Sequence, residues 1–141
     1  MRTRQVLVAV SGVQLAAGVA GHVVAVRGGR SFDIAVLGWR GRPERVARDY
    51  WLIGTGLSAP VIMLAAQAWG VARLAPGPSD AAARTLGRLG AAMVVGYLVE
   101  KEVRRSVSPS GWNPVTTPIV SVGLTLAVAM AVMGLRRGSE A

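Results

Sequence analysis

Apolar residues in this chain fall into long blocks rather than into the short alternations of a soluble domain. Gln5 to Val26, Trp51 to Ala72 and Asn113 to Leu135 each contain no Asp, Glu, Lys or Arg. Each is longer than the roughly 18 to 20 residues that cross a hydrocarbon layer about 30 Å thick. A fourth stretch, near 82–102, is apolar but interrupted by charge. Backbone groups in lipid must pair within their own segment, so helix is the expected conformation. The pattern predicts an all-α integral membrane four-helix bundle, one domain over 1–141, with helices at about 5–26, 43–74, 80–105 and 114–135. A basic, partly interfacial segment is expected between the first two.

Local signals place the boundaries. Gly28 and Gly29 end the first helix, and the run "FDIAVLGW" is too short to span, so it is expected to lie in the interface. Pro43 suits the first turn of a helix, and the pairs Glu44–Arg48 and Arg45–Asp49 have the i, i+4 spacing that supports one. The second helix is therefore expected to start outside the membrane, to enter it at Tyr50-Trp51 and to kink at Pro60. "APGPSDA" reads as a turn with Ser79 or Asp80 as the N-cap of the third helix. Asn113-Pro114 reads as a cap followed by a first helical residue.

Side-chain patterning adds detail. Ser11, Gln14, Gly18 and His22 make one polar, small-residue stripe, expected to face other helices and not lipid. Thr117, Ser121 and Thr125 form a row on the fourth helix. The basic start "MRTR" followed by an apolar run has the look of a signal peptide, but the run is long and lacks a clear small-x-small cleavage site, so a retained helix is expected.

Composition agrees. The chain is 52% hydrophobic and 16% charged, against about a quarter charged for a typical soluble domain. It has no cysteine, which removes thiol–disulfide chemistry, iron–sulfur clusters and thiolate zinc sites. Its one histidine leaves no His-rich metal site, so neither a cofactor nor a metal is expected. The net charge of +9 comes from arginines in short loops and at helix ends, a distribution that suits anionic lipid head groups better than nucleic acid. With both termini and the 73–88 turn on one side, nine basic residues between Arg27 and Arg105 lie on the other against seven. Segments 27–49 and 101–112 are thus expected to be cytoplasmic.

The third helix carries the candidate chemistry. Between Arg88 and Glu100 lie residues 89–99, about 16 Å of helix at 1.5 Å per residue, roughly half a hydrocarbon layer. Arg can reach outward to head groups, but Glu is shorter. Glu100 is therefore the charge expected to sit at depth, facing protein or a cavity. The plainer alternative is an ion pair with Arg104, one turn on, at the membrane edge. An up-and-down path brings His22, Asp49, Tyr50, Trp51, Tyr97, Trp112 and Asn113 to the same membrane side as Glu100. Glu100, His22 and Asp49 are the candidate acid/base groups. Gln14, Tyr50, Trp51, Tyr97, Trp112 and Asn113 are the candidate substrate-binding residues. Interfacial anchoring is the simpler reading of the tryptophans, and a backbone-bonded interfacial histidine the simpler reading of His22.

"GVAGHVVA", "RDYWLIGTGL" and "SPSGWNPVTTP" resemble segments of small bacterial four-helix membrane proteins of the DoxX-like and related groups. The resemblance implies a four-helix integral membrane fold in a bacterial inner membrane. It transfers no catalytic residue. The expected function is binding of a lipophilic small molecule in an intramembrane pocket near one surface, with acid/base isomerisation, cyclisation or epoxide opening by Glu100 and His22 as the chemistry it would allow. The alternative is a non-catalytic assembly or anchoring subunit, as a homo-oligomer or with a partner membrane protein. A proton-coupled transporter fits less well, because the first helix carries Gln14 where a carboxylate is expected.

Overall fold

A computed structural model describes residues 2–28, 33–34, 38–40, 51–52, 54 and 57–139. The described chain is mostly helical. Helix α1 (Arg2–Arg27) is followed by a ribbon of two short antiparallel strands, β1 (Asp33–Ile34) and β2 (Trp39–Arg40), with Asp33 opposite Arg40 and Ile34 opposite Trp39. Then come α2 (Val61–Leu74), α3 (Asp80–Val99), the short α4 (Lys101–Ser106), a 3-10 turn at Pro109–Gly111 and α5 (Thr116–Ser139).

The four long helices run up and down. Gly18 of α1 meets Leu64 of α2, and Gln14 meets Gln67, so these helices are antiparallel. Gly70 of α2 lies on Leu86 of α3. Helix α3 packs most closely on α5, Gly87 against Gly134 and Gly90 against Ala131, while Tyr97 reaches Gly123 near the start of α5. A Cβ at Gly90 would stand 2.6 Å from the Ala131 nitrogen. Glycine is required at that crossing by the approach of two backbones.

The inner face mixes apolar residues with polar and small ones. In α1 the buried positions are Leu7, Ser11, Gln14, Gly18, Gly21 and Ala25, an alternating spacing of four and three that keeps one stripe inward. The exposed positions include Val6, Val13, Val19, Val23 and Val26. The expected stripe is thus present with Gly21, not His22, as its fourth member; His22 is half-buried beside it. Helix α2 repeats the pattern, with Gln67 and Gly70 inside and Ile62 and Trp69 outside. On α5, Val122, Val128, Val132 and Leu135 are exposed. The expected threonine row on α5 divides, Thr117 buried and Ser121 and Thr125 exposed.

Two expectations about helix extent are corrected. Among the described residues, the helix expected over 43–74 begins at Val61, and Pro60 is its N-cap, not a kink within it. Residues 57–60 are non-helical, and 43–50 lie outside the described residues. The helix expected over 80–105 is broken at Glu100, whose φ of −74° and ψ of 125° are extended. By contrast, Ser79 caps α3 as expected, its Oγ accepting the Ala82 N–H at 3.4 Å. Asn113 likewise opens the last helix: its Oδ1 accepts the N–H groups of Val115 (2.9 Å) and Thr116 (3.0 Å). Among the described residues, two helices are long and apolar enough to cross a membrane, Arg2–Arg27 and Thr116–Arg136.

Candidate site at the broken helix

The end of α1, the start of α2, the end of α3 and the start of α5 meet at one pole of the bundle, and the ribbon packs there against α4. Glu100 is the hinge of this pole. Its N–H donates to Gly96 O (3.1 Å), closing α3, and its carbonyl accepts the Arg104 N–H (3.2 Å), opening α4. No proline or glycine occupies 98–104, so the break has no local breaker. The tertiary feature at this position is the side chain. Glu100 is 7% exposed, and its Oε1 accepts the backbone N–H of Asp33 at 2.8 Å. A carboxylate hydrogen-bonded to a backbone amide is among the stronger protein hydrogen bonds. Arg104, one turn on, is exposed on α4.

Beside Glu100 lies a cavity of about 100 Å³. Its wall toward α3 is Ala92, Met93, Gly96, Tyr97 and Val99. Leu57, Ser58, Ala59, Pro60 and Met63 face them, and Ile34 and Val103 complete the lining at the ribbon end. Among these lining residues the titratable groups are Glu100 and Tyr97. A Cβ placed on Gly96 would meet nothing within 4 Å, so this glycine opens onto space. The cavity therefore sits between the start of α2 at Pro60 and the break of α3 at Glu100. Leu57 and Ser58 are buried beside it, at 1% and 6% exposure.

A second polar feature runs inward from the cavity. Tyr97 and Gln14 share a hydrogen bond. Gln67 Nε2 donates to Gln14 Oε1 (2.6 Å) and to the Ser11 carbonyl (2.7 Å). Ser11, Gln14 and Gln67 are all essentially fully buried. This cluster ties α1, α2 and α3 at mid-height, and Tyr97 joins it to the cavity wall.

The sequence candidates divide. Glu100 and Tyr97 line the cavity. Gln14 belongs to the mid-height cluster behind Tyr97. His22 is not among the residues that line the cavity. Trp51 and Trp112 are exposed, at 56% and 66%, and lie outside the lining. Asn113 is engaged in capping α5, its N–H also donating to Thr117 Oγ1 (3.0 Å). Asp49 and Tyr50 lie outside the described residues. Sequence reading missed Ile34 and the 57–60 segment as lining. The available signal was the cluster Gly54, Gly56 and Pro60 inside a nominal span, since glycine and proline interruptions of apolar segments mark binding sites in transporters. No family model, curated protein or solved structure matches the chain.

Proposed function

We propose that this chain is a membrane-embedded helical bundle that binds a small lipophilic molecule in the Glu100 cavity. One observation carries the reading: a buried carboxylate on the wall of a mostly apolar cavity, between the break in α3 and the start of α2. Ionisable groups in that setting are costly to keep and mark ligand or ion sites.

The membrane setting is supported by the two long apolar helices and by what the bundle turns outward. Gln14, Gln67, Gly18 and Gly70 are inside among buried leucines and methionines, while valines, Ile62 and Trp69 are outside. Water would favour the reverse, whereas lipid gives no drive to bury valine and rewards close glycine packing. Helix α2, at 14 residues, is about 21 Å long, so the segment before Pro60 would complete that crossing. The exposed Arg27, Lys101, Arg104 and Arg105 at the Glu100 pole support a cytoplasmic position for it. Any proton transfer to a bound molecule would use Glu100, the one acidic group of the lining, without His22.

Organic extraction and mass spectrometry of the full chain, purified in mild detergent, test the reading. The expected result is one apolar molecule in near-stoichiometric amount from the unaltered protein and its loss from Gly96→Trp, whose indole would occupy the cavity, at a matched melting temperature. Equal recovery from both proteins, or recovery of bulk lipid and detergent alone, would remove the reading.

A further inference from the structure

The cavity has a direction. From Glu100 to Ala92 is eight residues of α3, about 12 Å along the helix axis. Of the polar residues of the lining, Glu100 and Ser58 lie toward the pole, while the Tyr97 hydroxyl turns away from the lining toward Gln14. Ala92, Met93 and Met63 lie deeper. At the pole the cavity is covered by the ribbon: Ile34 is part of its wall, and the adjacent Asp33 N–H is tied to the carboxylate. Ala92 and Gly96 both line the cavity and are exposed on the outer surface of α3. Around them the outer surface is apolar, with Val95 60% exposed on α3 and Ile62 52% exposed on α2.

We infer that the cavity opens sideways between α2 and α3 into the hydrocarbon layer, and that its ligand is a single-chain amphiphile lying parallel to the bilayer lipids. The inference rests on the membrane-embedded, lipophile-binding reading above and adds the ligand class and the route. The head carries a hydrogen-bond donor, an alcohol in the simplest case, and sits at Glu100. The chain runs inward along Met93 and leaves between Ala92 and Gly96. The polarity of the cavity from pole to middle is that of a bilayer leaflet, so an amphiphile entering from the lipid needs no reorientation. Size argues for the same conclusion. A cavity of about 150 Å³ admits benzene. By that comparison this one encloses about four heavy atoms, enough for a head and the first methylenes only. A longer chain fits only if the flank is open.

Chain length separates an open flank from a closed pocket. The full chain is reconstituted in phosphatidylcholine vesicles and photolabelled with a diazirine-bearing butanol, and unlabelled butanol, octanol and hexadecanol compete. Labelling is expected on Met63, Met93 and neighbouring lining residues. Hexadecanol is expected to displace the probe at a lipid-phase concentration within about threefold of butanol's, since its chain leaves one hydrocarbon environment for another. Val95→Trp, which adds bulk on the outer surface of α3 beside the opening without lining the cavity, is expected to weaken hexadecanol at least about tenfold and to leave butanol unchanged. If Val95→Trp does not fold, Ile62→Trp on the facing surface of α2 serves in its place, and the chain-length series on the unaltered protein stands without either. Displacement by butanol but not by octanol or hexadecanol would overturn the sideways opening and leave the cavity as a closed binding site. Absence of labelling on any lining residue would overturn the binding reading itself, and this inference with it.

Discussion

Two buried polar residues separate what a side chain does from what its neighbours need. Gln67 satisfies two acceptors, Gln14 Oε1 and the Ser11 carbonyl, and in doing so fixes the depth at which α1 and α2 cross. Removing it alone leaves the Gln14 carboxamide oxygen buried with a lost donor, which costs about 1–3 kcal/mol. Removing both glutamines removes donor and acceptor together. Gln67→Leu is therefore expected to destabilise the bundle by about 2 kcal/mol, and Gln14→Leu/Gln67→Leu by less than the sum of the two single changes. Unfolding in mixed micelles followed by tryptophan fluorescence measures both. Additive costs would mean that the pair does not act as one unit. Glu100 differs in kind, since its bond joins the ribbon to the bundle rather than one helix to another.

At the scale of elements, the glycines of α3 have opposite roles, although they look alike in the sequence. At Gly90 a Cβ would press on the backbone of α5, 2.6 Å from the Ala131 nitrogen and 2.7 Å from the Ala127 carbonyl oxygen. At Gly96 it would meet nothing within 4 Å. Overpacking costs about 1–3 kcal/mol, whereas alanine is preferred to glycine in a helix by about 1 kcal/mol. Gly90→Ala is expected to lower the melting temperature and Gly96→Ala to hold or raise it. Equal effects would contradict the tight α3–α5 crossing. The short α2 is explained at the same scale. Pro60 has no N–H to donate into a helix and sits where none is needed, ahead of the first turn. The chain before it instead packs Leu57 and Ser58 against α1 near Gly21.

For the whole molecule, the up-and-down path sets the two poles on opposite sides of any membrane that the bundle crosses. Gly28, after α1, belongs to the Glu100 pole, and Gly77, between α2 and α3, belongs to the other. The chain contains no cysteine, so Gly28→Cys and Gly77→Cys each introduce a single reporter. In sealed vesicles an impermeant maleimide is expected to label one of them from outside and the other only after permeabilisation. The positive-inside bias makes Gly28→Cys the cytoplasmic one. Labelling of both from the same side would exclude the crossing.

The sequence by itself determined the helical class, because long charge-free blocks admit little else. It also determined the local punctuation. Ser79 and Asn113 act as caps because a short polar side chain before an apolar run can accept the first free N–H groups wherever it occurs. Glu100 was legible as a charge too far along an apolar helix to be ordinary, but its partner was not. Only the tertiary structure decided that α3 breaks there, because the bond from the Asp33 N–H joins positions sixty-seven residues apart. Only it placed Pro60 and Ser58 on the cavity wall. Periodicity specifies which residues share a helix face. Which faces meet, and where a gap is left between them, depends on the relative height and rotation of the helices, fixed here by glycine contacts between residues distant in the chain.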